Sequence, residues 1–369
     1  MTPTQVEIQL IAAVTAAACA LPGVFLVLRR MAMLSDAISH SILLGIVLAY
    51  FVTRNLASPL LLVAAAVTGL VTVALVELLG RTRLLKADAS IGLVFPLLFS
   101  IGVILISRYA GDVHLDVDSV LLGELAFAPF DRFELFGADM GPVSLFVMLG
   151  ALAANALFLL LFYKELKVAT FDPELAAALG ISPVLIHYTH MGLVSVTAVS
   201  AFEAVGSVLV VALMIGPPAT AYLLTDRLPV MIALSVGIGV AASLAGYWLA
   251  HVLDASIAGS MATMTGVAFL LALFFAPGRG LAAVAGRRRR QRLEFAGQML
   301  AVHLLQHEGT AEECYESSLV QLEEHFRWDK AFARQIVRQG EHLGRWRLAG
   351  DGLELTDTGR ELARAVVER

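Results

Sequence analysis

The stretch MLSDAISHSILLG, residues 33–45, opens an apolar segment that is long enough to cross a bilayer and yet carries two ionisable side chains. Asp36 and His40 are four residues apart, so on a helix they lie on one face with Cβ atoms about 5–6 Å apart. An Asp inside a membrane span costs about 2.5–3.5 kcal/mol on insertion scales and by default marks a functional site. The pair therefore predicts a transient site for a divalent cation, and a buried hydrogen bond between helices is the alternative.

The composition of the chain indicates a polytopic membrane protein. Of the 369 residues, 58% are hydrophobic and only 15% are charged, and the mean hydropathy is +0.80. The apolar residues form blocks of about twenty, the length that spans about 30 Å of hydrocarbon as a helix. We predict an all-α membrane domain of eight to nine transmembrane helices, with candidate spans at 7–28, 33–53, 57–79, 89–107, 143–163, 184–202, 205–224, 229–251 and 259–276.

The basic residues of the connecting segments predict how the spans are oriented. Arg29 and Arg30, Lys164 and Lys167, and the run 287–290 all fall on one side, which the positive-inside rule assigns to the cytoplasm. This places the N-terminus outside and the C-terminus inside, in a bacterial-type cell (inner) membrane. Eight or ten crossings are alternatives, because residues 115–130 could form a short re-entrant or extracellular helix.

The segment 164–183 is the longest predicted cytoplasmic connection within the membrane domain. Asp172 can cap a short helix with Pro173 at its first position, and Gly180 can end it. A helix of one or two turns is marginal in water by itself. We therefore expect it to dock on another protein surface, with a simple surface loop as the alternative.

The composition changes after the last span, and this change predicts three regions. Residues 1–277 form the transmembrane domain, 278–293 a basic linker, and 294–369 a cytoplasmic domain. Amphipathic stretches are followed by an alternating pattern around Gly350 and Gly352, typical of a β-hairpin, and then by a closing helix from Thr356. We interpret 294–369 as a small α+β, winged-helix-like domain.

Carboxylate and imidazole together suit Mn²⁺, Fe²⁺ or Zn²⁺, and two ligands from one chain cannot complete a coordination shell. A two-fold partner that brings its own Asp–His pair across a central pore would supply four ligands. A site used in conduction must also release its ion. We predict no permanently bound cofactor, only the transported metal. The chain also lacks a G-x-x-x-x-G-K-[ST] phosphate loop and an H-E-x-x-H zinc motif, which excludes their use in ATP hydrolysis and proteolysis here.

Other polar positions are weaker candidates. Glu203 could line the outer mouth of the path, or it could be an interfacial acid in a turn. His187 and His190 lack an acidic neighbour in sequence, which favours packing over metal binding. His114, Asp116 and Asp118 could collect cations, but a solvated loop is the better interpretation. The motif Gly216-Pro217-Pro218 must lose backbone hydrogen bonds in its span, which is typical of transport pathways and also of packed kinks.

These motifs resemble the permease subunits of ABC importers for zinc, manganese and iron over residues 8–277. The matching pattern includes Arg29–Met31, Asp36, His40 and Gly45, residues 115–123 and the tract 216–227. The resemblance implies a permease dimer, of two copies or of two paralogues, that sits on ABC ATPase subunits in the bilayer and receives metal from an extracytoplasmic binding protein. It also implies that 171–182 is the coupling helix, with ATPase contacts from Phe171, Asp172, Pro173, Glu174, Ala177, Leu179 and Gly180.

The tract 221–227 is more similar to the manganese and iron branch of this family than to the zinc branch. The stretch 355–363 is similar to the wing-to-helix junction of iron- and manganese-dependent repressors. Residues 294–369 carry more acids than bases, however, and DNA-binding domains show a basic footprint. We therefore expect an interaction or regulatory module rather than a DNA-binding domain, and metal sensing through His303, His307, Glu308 or Cys314 is one role it could have.

Together these features predict the membrane subunit of an ATP-driven importer of manganese or iron, with zinc as the alternative. ATP hydrolysis belongs to a partner subunit. A membrane-anchored, metal-responsive regulator is the alternative from another class.

Overall fold

The computed structural model describes residues 2–55, 58–82, 84–109, 125–135, 138–310, 313–350 and 352–368. They form two compact units, Met1–Arg279 and Gly280–Arg369. Each unit is described by itself below.

The first unit is a helical bundle. Within the described ranges, nine of its helices are long and apolar enough to cross a membrane, which confirms the predicted number of spans and the all-α class. They are α1 Pro3–Leu28, α2 Met33–Thr53, α3 Pro59–Arg81, α4 Ala87–Tyr109, α5 Val143–Leu161, α8 Pro183–Val205, α9 Ser207–Leu224, α10 Leu228–Leu253 and α11 Ile257–Phe275. Two short helices, α6 Tyr163–Phe171 and α7 Pro173–Ala178, connect α5 to α8.

Helix α1 is buried along most of its length and packs against α5, α9 and α10. Small residues allow this close packing, as they commonly do between membrane helices. At Gly23, a Cβ atom would lie 1.9 Å from the carbonyl oxygen of Met214 on α9. Any larger side chain at Gly23 would force these two helices apart.

Helix α2 lies between α3 and α4. A Cβ atom on Gly45 would lie 2.5 Å from the carbonyl oxygen of Ala64 on α3, so these backbones approach closely. One turn before Gly45, the hydroxyl groups of Ser41 and Thr72 are 2.6 Å apart and both are buried. Packing and hydrogen bonding together therefore fix α2 against α3.

Helix α9 runs from Ser207 to Leu224 without interruption, although Pro217 and Pro218 lie inside it. Both prolines are buried, and the hydroxyl of Thr220 donates to the carbonyl of Gly216 at 2.7 Å. A Cβ atom at Gly216 would lie 2.2 Å from the side chain of Thr265 on α11. This close packing agrees with the alternative in which the motif is packed inside the bundle. The pathway role of the motif stays a prediction.

A β-hairpin precedes α5, and the sequence did not predict it. Strands β1 Arg132–Leu135 and β2 Ala138–Pro142 pair antiparallel, after a 3-10 turn at Ala128–Phe130. Arg132 contacts both Glu7 and Asp139, and the guanidinium lowers the pKa of the Asp139 carboxyl. Most of the predicted helix 115–130, including the candidates Asp116 and Asp118, lies outside the described residues, as does His114.

The second unit contains five helices and a hairpin within its described residues. They are α12 Leu281–His307, α13 Glu313–Glu316, α14 Leu319–His325, α15 Lys330–His342, β3 Trp346–Ala349, β4 Gly352–Leu355 and α16 Asp357–Val367. The predicted hairpin and the closing helix capped by Thr356 are confirmed. The predicted basic linker is helical from Leu281 onward, because α12 runs through the arginine run.

Trp346 is the centre of the core of this unit. It is 1% exposed, and its indole Nε1 donates to the carbonyl of Val337 at 3.0 Å. The ring lies against Gly340, where a Cβ atom would be 1.9 Å from it. Helices followed by a small antiparallel hairpin and a final helix are compatible with a winged-helix-like domain, which stays a prediction.

Candidate functional site

Asp36 and His40 lie side by side in the first part of α2, as their spacing predicts. Asp36 is in the first helical turn, and its Oδ1 is 3.4 Å from Nε2 of His40. This separation is longer than an ordinary hydrogen bond of about 2.7–3.2 Å. The two side chains are 32% and 27% exposed, so both remain accessible within the bundle.

The surroundings of the pair are apolar on the side of α4. The imidazole ring of His40 lies 5.8 Å from the ring of Phe95 and 6.0 Å from that of Phe99. Ser39, next to His40, is buried and donates to the carbonyl of Ser35. The pair therefore stands on a well-packed turn with the rings of Phe95 and Phe99 beside it.

The pair supplies one carboxylate and one imidazole, a set that suits divalent transition metals. Among the residues that the structure describes, no three His, Cys, Asp or Glu side chains are grouped to hold a metal ion. Further ligands would therefore have to come from water or from another chain.

Glu203 is not brought together with this pair. It is exposed in the last turn of α8. The opposite end of α8 is the one near α2, because Arg29, which precedes α2, contacts His187 at the beginning of α8. Glu203 comes sixteen residues after His187 on the same helix, about 24 Å along the axis at about 1.5 Å per residue. The turn it precedes is very tight, because Gly206 alone, with φ 78°, separates α8 from α9.

The local structure of the segment 164–183 follows the predicted signals. The carboxylate of Asp172 accepts from the backbone N–H of Leu175 at 2.9 Å, and Pro173 is the first residue of α7. Gly180 ends the motif with φ +80°, a conformation that favours glycine. The helix is shorter than the expected 171–182, because Phe171 ends α6 and the cap at Asp172 separates the two helices.

The surface around α7 is exposed and largely apolar. Only Ala176 of α7 is buried, whereas Glu174 and Ala177 are exposed. Phe171 and Leu179 are 60% and 63% exposed. Leu175, Val184 and Leu185 continue this apolar surface, which we call the α7 surface.

A polar network that the sequence did not predict lies close to the α7 surface. Nη1 of Arg29 lies 2.8 Å from Nδ1 of His187, and Nε2 of His187 contacts Oε1 of Glu77 on α3. The hydroxyl of Tyr188 donates to the other oxygen of Glu77 at 2.7 Å. His187 therefore does have an acidic partner, and the sequence signal that could have revealed it is a glutamate inside a predicted span.

His190 does not join this network. It is buried, its Nε2 contacts the carbonyl of Pro22 at 3.2 Å, and its ring packs edge-on against Phe25. These contacts agree with the interpretation of His190 as a packed histidine.

The candidate sensing residues of the second unit fall into separate places. His303 and His307 have ring centroids 4.5 Å apart, and His325 lies 4.8 Å from His303. Glu308 instead pairs with Arg360 at 2.7 Å. The side chain of Cys314 lies outside the described set. Burial lowers the pKa of His303, which the contact with the backbone of Glu316 opposes and the neighbouring imidazoles reinforce.

Comparisons with known proteins agree with this architecture. A family model described as "ABC 3 transport family" matches residues 3–276. The zinc transport system membrane protein TroD of Treponema pallidum is 49% identical over 359 residues, which cover 97% of this chain and 98% of TroD. The manganese transport system membrane protein MntD of Bacillus subtilis is 48% identical over 279 residues, 76% of this chain and 94% of MntD.

A solved structure supports the same conclusion. PsaBC from Streptococcus pneumoniae, in complex with a Fab, matches with a TM-score of 0.62 and 27% identity, and covers 76% of this chain and 94% of that chain. The family model spans all nine membrane helices, which confirms the resemblance drawn from the motifs. The chain therefore belongs to the ABC 3 transport family.

Proposed function

We propose that this chain is the membrane-spanning subunit of an ATP-driven importer that passes a divalent transition metal from an extracytoplasmic binding protein to the cytoplasm. The observation that carries the proposal is the Asp36–His40 pair on the accessible side of α2, within a member of the ABC 3 transport family. We propose manganese or iron as the transported metal. Zinc is the alternative, since TroD is named for zinc and MntD for manganese.

In this proposal the pair is half of a gate in the conduction path. The described residues of one chain offer no third ligand, so a second permease, identical or paralogous, brings its own pair to the ion. A site assembled across an interface can also be taken apart when the two permeases move. This property suits alternating access, because the ion must be released as well as bound.

The α7 surface is the part that docks on the ATPase subunits in this proposal. Its exposed side chains Phe171, Leu175 and Leu179 are apolar, and exposed apolar patches of this kind mark interaction sites. ATP hydrolysis takes place on the partner, and α7 transmits the resulting movement. This assignment, and a cytoplasmic location for residues 294–369, follow from the proposed orientation of the spans.

The experiment is metal uptake by the complete complex in proteoliposomes, with the variants Asp36→Ala and His40→Ala. Loss of a direct ligand should reduce uptake at least as much as loss of a supporting residue, which costs about 10- to 100-fold. His251→Ala is a matched control, because His251 lies in the last turn of another span and contacts Trp248. Unchanged uptake in either Asp36→Ala or His40→Ala, with the complex assembled, would contradict the site.

The same preparation identifies the metal. Mn²⁺, Fe²⁺ and Zn²⁺ compete for uptake of a single labelled ion, and the order of inhibition gives the order of preference. We expect Mn²⁺ or Fe²⁺ to inhibit most strongly. Dominant inhibition by Zn²⁺, with uptake of labelled Zn²⁺, would support the alternative.

A further inference from the structure

A continuous chain of polar contacts joins four helices at the end of the bundle where α2 begins. The guanidinium of Arg29 donates from Nε to the hydroxyl of Thr170 at 3.2 Å and from Nη1 to Nδ1 of His187 at 2.8 Å. The other ring nitrogen of His187 contacts Glu77, which also accepts from Tyr188. The contacts connect the end of α1, the last part of α3, the end of α6 and the beginning of α8.

The chemistry of these groups fixes the direction of each contact. An arginine side chain has only donors, so Nδ1 of His187 must accept from Arg29. The proton of a neutral imidazole then lies on Nε2, facing the carboxylate of Glu77, which can only accept when ionised. The series guanidinium, imidazole and carboxylate therefore alternates donor and acceptor, and it holds Arg29 through Nε and Nη1. The buried Nη2 of Arg29 has no hydrogen-bond partner among the described residues.

Arg29 is also mechanically close to the Asp36–His40 pair. It caps α1, and only residues 30–32 separate it from the first residue of α2. Arg30 adopts φ 58°, and the N–H of Met31 bonds back to Leu26 at 2.9 Å. The N–H of Leu34 in turn bonds to Met31 at 3.0 Å. Because this connection is short and hydrogen-bonded at both ends, we expect a displacement of Arg29 to move the first turn of α2.

Arg29 is equally close to the α7 surface. Thr170 is the penultimate residue of α6, and Asp172, which caps α7, follows two residues later. The hydrogen bond to Thr170 is thus a direct polar link between the turn that precedes α2 and the segment that carries Phe171 and Leu179.

We propose that Arg29, held by His187 and Glu77, is a positioning residue that couples movement of α6 and α7 to the Asp36–His40 pair. The proposal rests on the proposed function, because it assumes that α7 docks on the ATPase and that the pair binds the transported metal. In this proposal Arg29 is not a ligand of the metal. Its role is to couple ATP hydrolysis by the partner subunit to movement of the first turn of α2.

The test is the number of ATP molecules hydrolysed per metal ion imported, measured on the complete complex in proteoliposomes with the binding protein and Mn²⁺. Thr170→Val removes only the acceptor of the link and keeps the shape of the side chain. Arg29→Lys keeps the charge but replaces the planar guanidinium fork by a compact ammonium, which cannot reproduce both contacts. We expect ATP hydrolysis to persist and the ATP-to-metal ratio to rise about two- to tenfold in each variant, as loss of one hydrogen bond would give.

Two further measurements distinguish coupling from a structural role. Thr225→Val is the matched control, because Thr225 lies between α9 and α10 and its hydroxyl accepts from the backbone N–H of Arg227. Its ratio should equal that of the unmodified protein. The double variant Thr170→Val with Arg29→Lys should be no worse than Arg29→Lys alone, because both changes break the same link.

The outcomes separate this inference from the proposed function. If Asp36→Ala abolishes uptake while Thr170→Val and Arg29→Lys keep a normal ratio, the proposed function stands and the coupling role is overturned. Reduced assembly of both variants with the ATPase, at an unchanged ratio in the complexes that form, would also overturn it. If Asp36→Ala and His40→Ala leave uptake unchanged, the proposed function itself fails.

Discussion

At the scale of single residues, we expect His303 to give the second unit a pH-dependent stability. His303 is 6% exposed, and burial lowers its pKa, with smaller contributions from His307 and His325 and an opposing one from the contact with Glu316. The unfolded state, where the pKa is about 6.5, then binds more protons than the folded state below that value. The stabilisation is fully present above about pH 6.5 and is lost as the pH falls from there towards the folded pKa.

The measurement is thermal unfolding between pH 5 and pH 8, followed by the fluorescence of Trp328 and Trp346 in a Trp248→Phe background. The melting temperature should fall at acid pH in the parent, and His303→Leu should flatten that dependence. His342→Gln, at an exposed position at the end of α15, should leave it unchanged. A parent whose stability is independent of pH over this range would contradict the role of His303.

The residues also show what could be predicted before the fold was known. Asp36 and His40 could be paired because both stand on one helix, where spacing alone determines their distance. Glu77 and His187 meet from different helices, and their contact depends on how α3 packs against α8. A glutamate in an apolar span is still a visible signal, because its burial is costly without a partner.

At the scale of elements, α7 makes a direct prediction about assembly. Phe171 and Leu179 expose apolar side chains, and burial of such a side chain contributes about 1.5–3 kcal/mol. Phe171→Ala or Leu179→Ala should therefore weaken binding of the ATPase subunits about tenfold or more. Titration of the purified permease with ATPase subunits, read out by co-elution, measures this change.

The control for this prediction lies in a different helix. Leu270→Ala, in α11, truncates a leucine that is also exposed in the bundle but belongs to a membrane span. It should leave the affinity for the ATPase unchanged. Equal affinities for Phe171→Ala, Leu179→Ala and the unmodified protein would show that another surface carries the docking.

The elements that could be predicted are those with local signals. The cap at Asp172, the proline at position 173 and the left-handed Gly180 all act within a few residues, so the sequence suffices. The hairpin β1–β2 was missed because its strands have only four and five residues and pair across a bulge. Strands this short carry little periodic signal.

At the scale of the whole molecule, the two units differ in how far the sequence could describe them. Blocks of about twenty apolar residues predicted all nine spans, since a bilayer imposes a fixed length on each helix. In the second unit, the amphipathic stretches predicted helices and the alternation around Gly350 predicted the hairpin, whereas neither pattern specified an activity. Its core depends on the fit of Trp346 against Gly340, a contact that the periodicity of the sequence does not predict.

The two-unit organisation predicts that transport survives removal of the second unit. A chain that ends at Gly280 keeps the nine membrane helices that the structure describes. It also keeps Arg279, which donates to the carbonyl of Tyr222 at 2.6 Å and pairs with Asp226. MntD, a transport relative, is matched over 94% of its length by 279 residues of this chain. We therefore expect the shortened protein to assemble with the ATPases and to keep most of its metal uptake.

The comparison that decides this prediction uses uptake at low and at high external metal. If residues 281–369 are a regulatory module, their removal should change how uptake depends on metal supply, while the dependence on Asp36 persists in the shortened chain. Abolished uptake in a shortened protein that still assembles would favour the membrane-anchored regulator, in which the second unit carries the function and the spans serve as an anchor. Asp36→Ala is tested in the same shortened background. Loss of the metal path abolishes uptake at every metal concentration, whereas loss of regulation changes only how uptake depends on metal supply.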